Sequence, residues 1–181
     1  MGLFDKNFKE IFSAQLFAII GGIIAGVVLA VYMDKIFLIP GMLIIIPGFM
    51  EMRGNISGTF ASRISSGLFL GVINPSKPDK KIIRGNLRGS FILALIVSLA
   101  LGLVAFIFNY LVMGVLAAKI IIVTLLAGIL SNFILNRLTL FTTIYLFKKG
   151  HDPNNIMGPF VTTAGDIIST LSLLVIILLI I

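Results

Sequence analysis

The chain has 181 residues, a formal charge of +7 and no cysteine, and its mean hydropathy is +1.16 with 59% of residues hydrophobic. Soluble domains carry about 45–50% apolar residues, so a soluble fold is excluded and the chain reads as an integral multi-pass membrane protein immersed in the lipid bilayer. Without cysteine there are no disulfides or thiolate sites, and the basic residues lie between apolar runs with no aromatic-interleaved surface, which argues against nucleic acid as a partner.

Residues 2–10 mix Phe4 and Phe8 with Lys6 and Lys9, a pattern that reads either as a short amphipathic segment on the membrane face or as a polar start. The first span is expected at 11–33, with Gly22 and Gly26 four apart as a packing pair. It outruns the apolar core of a cleavable signal, about 7–15 residues, and reads as retained. The second span, at 38–69, holds Pro40 and Pro47 and exceeds the about 20 residues of one perpendicular crossing. It should tilt, bend at Pro47 or project from the membrane. Residues 74–89 form the main polar loop, 90–111 the third span, and Met113–Gly114 a tight turn. The fourth span is placed at 115–147, with Asn132, Asn136, Thr139 and Thr143 on one face, as pore amides or interhelical contacts. A second polar loop at 148–155 holds His151 and Asp152, a solvated turn or a regulatory metal position, and 156–181 is the last span.

This is an all-α fold, a single transmembrane domain over 1–181 with five transmembrane helices. Placing the N-terminus in the cytoplasm puts Lys6, Lys9, Lys77, Lys80, Lys81, Arg84, Arg88, Lys148 and Lys149 inside and leaves Lys35 and Lys119 outside, as the positive-inside rule requires. The C-terminus is then outside, with the cell membrane the expected location. An odd helix count means that any two-fold comes from a second chain, so a pore is expected to be completed by a homodimer.

The chemistry concentrates in two spans. At about 100° per residue, Glu51, Asn55, Thr59, Ser62 and Ser66 form one polar stripe beside a small-residue stripe of Gly54, Gly58, Ala61 and Ser65. At bilayer depth such a stripe must line water or meet polar partners, and it reads as a pore wall. In the last span Thr162, Thr163, Asp166 and Thr170 share a face. Oxygen donors of this kind suit a hard cation, and suit zinc or copper poorly. Two copies of Asp166 across a two-fold would repel unless a dication lay between them. The competing reading pairs Asp166 with Arg53, Arg63 or Arg137. Glu51 is open between an ion-site role and an arginine pair, and Arg53 and Arg63 are expected to neutralise acids or anchor at the interface. No serine–histidine, serine–lysine or paired-aspartate arrangement supports an enzyme.

Pro47, Gly54, Asn55, Thr59, Ala61, Ser62, Arg63 and Ser65 resemble the signature of the MgtE magnesium transporter family in its eukaryotic solute-carrier form, where a proline precedes Gly-Asn and Ala-Ser-Arg. Gly158–Asp166, GPFVTTAGD, is similar to the family's last-helix motif. The resemblance implies a homodimer whose second and fifth helices line a central pore, with Asp166 binding hydrated magnesium and Asn55 near the pore. The bacterial members' cytoplasmic N-terminal and CBS domains have no counterpart in these residues, so their gating does not carry over. The sequence therefore points to divalent cation transport, with Mg2+ the expected ion and Mn2+, Co2+ or Ca2+ as others, and with Asp166, Asn55, Thr162, Thr163 and Glu51 as metal-site residues. The alternatives are a sodium- or proton-coupled exchanger and a non-transporting membrane assembly subunit.

Overall fold

A computed structural model describes residues 5–181. Its helices are α1 (Lys6–Val31), α2 (Met33–Ile36), α3 (Met42–Phe69), α4 (Lys80–Met113), α5 (Lys119–Lys148) and α6 (Pro153–Ile180), with no strand among the described residues. Three of the starts are set by an aspartate whose carboxylate accepts from the first free backbone N–H groups. Asp5 accepts from Phe8 N at 2.9 Å. Asp79 accepts from Lys81 N at 2.7 Å and Ile82 N at 3.2 Å, and Asp152 accepts from Asn154 N at 2.8 Å ahead of Pro153 in the first turn.

These caps move two boundaries. Lys80, Lys81, Arg84 and Arg88 ride on the first turns of α4 where a loop was expected, because Asp79 nucleates the helix ten residues before the apolar run. Residues 6–10 continue into α1 and do not form a separate surface segment; Phe4 lies outside the described residues. The expected start of the second span, at 38, falls instead in the turn that follows α2 and ends at Gly41, whose φ of 79° would strain any residue with a Cβ. There is no room for one either, since it would stand 2.5 Å from Asn109 Cγ. From Met42 the helix runs unbroken through Pro47 to Phe69.

Helices α3, α5 and α6 pack on one another at the centre, α1 lies against α6, and α4 lies against α5 and α3. Lipid tails are as apolar as leucine, so helices in a bilayer associate where small residues let backbones close up. On α4 the buried residues are Ser90, Ala94, Ser98, Gly102, Ala105 and Asn109, a stripe repeating every three or four positions. A Cβ on Gly102 would stand 3.0 Å from Ile121 Cα, and one on Gly128 of α5 would stand 2.6 Å from Ser98 Cβ. On α1 the residues facing α6 are Ala14, Gly21 and Ala25, with Thr163 seated on Gly21. The Gly22–Gly26 pair expected to pack is exposed and has nothing within 4 Å of an added Cβ. It is one residue, about 100°, out of register with the contact.

Four of the described helices, α1, α4, α5 and α6, are long and apolar enough to cross a membrane. Most of the large apolar side chains of α1 and α4 face outward, which is stable only with lipid as solvent. Helix α3 is 28 residues long but less apolar, because its polar stripe lowers its mean. Lys6 Nζ donates to Gly150 O at 2.6 Å and Phe69 meets Phe147 edge-on at 5.2 Å, so the start of α1, the end of α3 and the end of α5 share one end of the bundle. The nine basic residues named above thus lie toward one end. Lys119, whose Nζ is 3.5 Å from Ile180 O, lies at the other.

Candidate cation site

The register of α3 separates two kinds of polar residue. Glu51, Asn55, Thr59, Ser62 and Ser66 are all exposed, whereas Arg53, Ser57 and Ser65 are buried on the inner side. Ala61 packs with Met157 and Val161 of α6, and Ser65 Oγ donates to Asn154 Oδ1 at 2.9 Å, so α3 and α6 are joined at that level. Further along, Gly54, Gly58 and Gly158 replace side chains with space. An added Cβ on Gly58 or Gly158 would meet nothing within 4 Å, and one on Gly54 would only reach Thr162 Oγ1 at 4.0 Å.

The result is a cavity of about 470 Å3 lined by Pro47, Met50, Glu51, Gly54, Asn55, Gly58, Gly158, Thr162 and Asp166. Four of the five residues expected from the sequence, Glu51, Asn55, Thr162 and Asp166, therefore share one groove. The fifth, Thr163, turns toward α1, with its Oγ1 3.5 Å from Ala18 O and its methyl against Gly21, and does not line the groove. Within the groove Asn55 Nδ2 donates to Glu51 Oε1 at 3.0 Å, and Thr162 Oγ1 donates to Gly158 O at 3.1 Å. Each bond leaves the Asn55 carbonyl oxygen or a Thr162 lone pair available.

No arginine shares this groove, and no ion pair among the described residues involves Asp166 or Glu51. Arg53 neither neutralises an acid nor reaches the interface. Its guanidinium is fully buried against α5, donating to Gly128 O at 2.6 Å, to Asn132 Oδ1 at 2.8 Å and to Ser131 Oγ at 3.4 Å. Asn132 and Asn136 bind helices together. Asn136 Nδ2 donates to Ser90 Oγ at 2.8 Å and to Asn132 Oδ1 at 3.1 Å, while its Oδ1 accepts from Ser57 Oγ at 3.3 Å. His151 Nδ1 lies 2.8 Å from Glu10 Oε1, tying the α5–α6 turn to α1. The helical count turns Arg53 away from the polar face, two positions or about 200° from both Glu51 and Asn55, but the sequence gives no sign that the opposite face meets α5 and not an acid or the interface.

The groove holds two carboxylates, an amide and a hydroxyl, and no group of three or more His, Cys, Asp or Glu occurs among the described residues. Such a set is all oxygen and too sparse to replace the full shell of a hard dication. It suits an ion that keeps its own water, as magnesium prefers to do. Residues 46–176 match the model of a family described as MgtE, divalent cation transporter, a stretch that takes in every residue of the groove.

Proposed function

Because the chain belongs to the MgtE family of divalent cation transporters, we propose that it carries magnesium through a pore formed where the α3–α6 groove meets that of a second copy. Transport of divalent cations is the family's function, and the chain is an integral multi-pass membrane protein. The observation that carries the finer reading is the pair Asp166 and Glu51, two carboxylates without a cationic side chain beside them on a groove continuous with an exposed polar stripe. A carboxylate at bilayer depth costs about 2.5–3.5 kcal/mol on insertion scales, and lipid offers the stripe no hydrogen bonds.

A two-fold contact applies the same surface from both partners. Centred on this stripe, it covers the exposed polar groups and encloses the two grooves around shared water. Four carboxylates would then face one passage, and their repulsion is relieved when a hydrated dication enters. Asp166 supplies charge to the water shell, Glu51 adds charge nearer Pro47, and Asn55 and Thr162 orient the coordinated water. Passage width and these neutral contacts set selectivity. Helix α3 completes five crossings, and the basic end faces the cytoplasm. Thr163 serves by packing α6 on α1.

Magnesium uptake into liposomes containing this chain alone tests the reading, with calcium, manganese and cobalt as competitors. Asp166→Asn keeps shape and removes charge, and flux should fall by at least about tenfold, or about 1.4 kcal/mol in the barrier, while insertion and elution are unchanged. Undiminished flux in that variant would defeat the pore assignment. Flux that requires an imposed sodium or proton gradient would replace the channel by a coupled exchanger.

A further inference from the structure

A separate cavity of about 360 Å3 lies between α4 and α5, and Arg84, Arg88 and Arg137 line it. Arg84 and Arg88 are one turn apart on α4 and project to the same side. Arg137 comes from α5, with its guanidinium carbon 4.9 Å from the centroid of the Phe133 ring. All three are exposed, none is in an ion pair among the described residues, and no carboxylate lines the cavity. Three guanidinium groups collected without a counter-charge leave a site of strongly positive potential, and the planar fork of arginine matches phosphate oxygens two at a time.

Beneath the arginines the walls change character. Phe91, Ile92 and Phe133 also line the cavity and are exposed. Arg84 and Arg88 sit just before the apolar run that starts near Ser90, toward the end of the bundle that gathers the lysines. That level is where headgroups meet acyl chains, and anionic lipids concentrate on the leaflet that basic ends prefer.

We infer that this cavity is a binding site for an anionic phospholipid, its phosphate held by Arg84, Arg88 and Arg137 and an acyl chain lying along Phe91, Ile92 and Phe133. A free phosphate would use the arginines and leave the apolar walls uncovered. A second copy is a poor occupant, because a two-fold contact here would set the same three cations against themselves. The floor of the cavity is Asn132 and Asn136, and Asn132 accepts from Arg53 of α3. The lipid therefore rests on the helix that clamps α3.

The test is native mass spectrometry of the full chain in an uncharged detergent, titrated with phosphatidylglycerol or with phosphatidylcholine of the same acyl chains. Phosphatidylglycerol should be retained at least about tenfold more tightly. Combining Arg84→Gln, Arg88→Gln and Arg137→Gln should erase that preference, whereas Lys77→Gln, Lys80→Gln and Lys81→Gln together, with the same loss of charge, should weaken binding less than about threefold. Arg137→Gln alone should lower retention in the same direction, so the test stands even if the triple variant misfolds. Phe133→Ala should weaken phosphatidylglycerol without changing charge. Equal losses in the two triple variants would reduce the site to diffuse attraction and overturn the proposal. Displacement of the lipid by inorganic phosphate at matching concentration, or indifference to Phe133→Ala, would overturn its assignment to lipid.

Discussion

Replacing Arg53 by methionine and by alanine separates the worth of its charge from the worth of its stem. The two short bonds, to Gly128 O at 2.6 Å and Asn132 Oδ1 at 2.8 Å, contribute about 1.5–3 kcal/mol each for a charged donor. Against them stands a desolvation cost of several kcal/mol for a buried cation, with Nε left unbonded. The two sums nearly cancel. Losing the guanidinium does not orphan its acceptors, because Asn136 Nδ2 also donates to Asn132 Oδ1 at 3.1 Å and Ser131 Oγ to Gly128 O at 3.3 Å. Arg53→Met, which preserves the stem, should therefore lie within about 1.5 kcal/mol of the native chain. Arg53→Ala opens a cavity between α3 and α5 and should fall about 2–5 kcal/mol below the methionine variant. Denaturant titration of the detergent-purified chain, followed by far-ultraviolet circular dichroism, measures both. If the methionine variant unfolds as readily as the alanine one, charge-assisted bonding outweighs desolvation and the reasoning is wrong.

Gly128→Ala drives a Cβ to 2.6 Å from Ser98 Cβ. It should cost about 1–3 kcal/mol by overpacking, and adding Ser98→Gly should restore most of the loss in the same titration; no recovery would place the strain elsewhere. Gly41→Ala combines a φ of 79° with contact on Asn109 and should lower stability by about 1–3 kcal/mol. Asn109→Ala should relieve the contact and leave the backbone strain, so thermal melts should show partial rescue. The chain has no cysteine, so Ser62→Cys introduces a single thiol on the exposed stripe. A short bismaleimide should join two copies in membranes through it, and should not do so through Ile107→Cys on the outer face of α4. The reverse pattern would remove the stripe from the dimer axis.

The membrane class, the family and the helical content were legible because lipid imposes one rule on every residue: backbone polar groups must be satisfied within the helix, and polar side chains must be hidden or wetted. A stripe such as Glu51 to Ser66 declares itself under that rule by periodicity, and Asp166 by the cost of a carboxylate within an apolar run. The basic blocks likewise announce their clustering toward one end of the molecule. Local chemistry also wrote the caps, although Pro75, Pro78 and the lysines around Asp79 mask it as a helix start.

Which neighbour each face meets was decided only by the tertiary structure. Thr162 and Thr163 are adjacent, equally polar and about 100° apart. One lines the groove and the other seats on Gly21, because α1 happens to cross α6 there. Gly21 rather than Gly22 makes that contact for the same reason. Arg53 looked like an interfacial charge in a list of residues, and became a buried clamp once α5 presented a backbone oxygen and an amide at bonding distance. Periodicity sorts residues onto faces, but only packing assigns each face to lipid, water or another helix, since that choice depends on surfaces contributed by residues far apart in the chain.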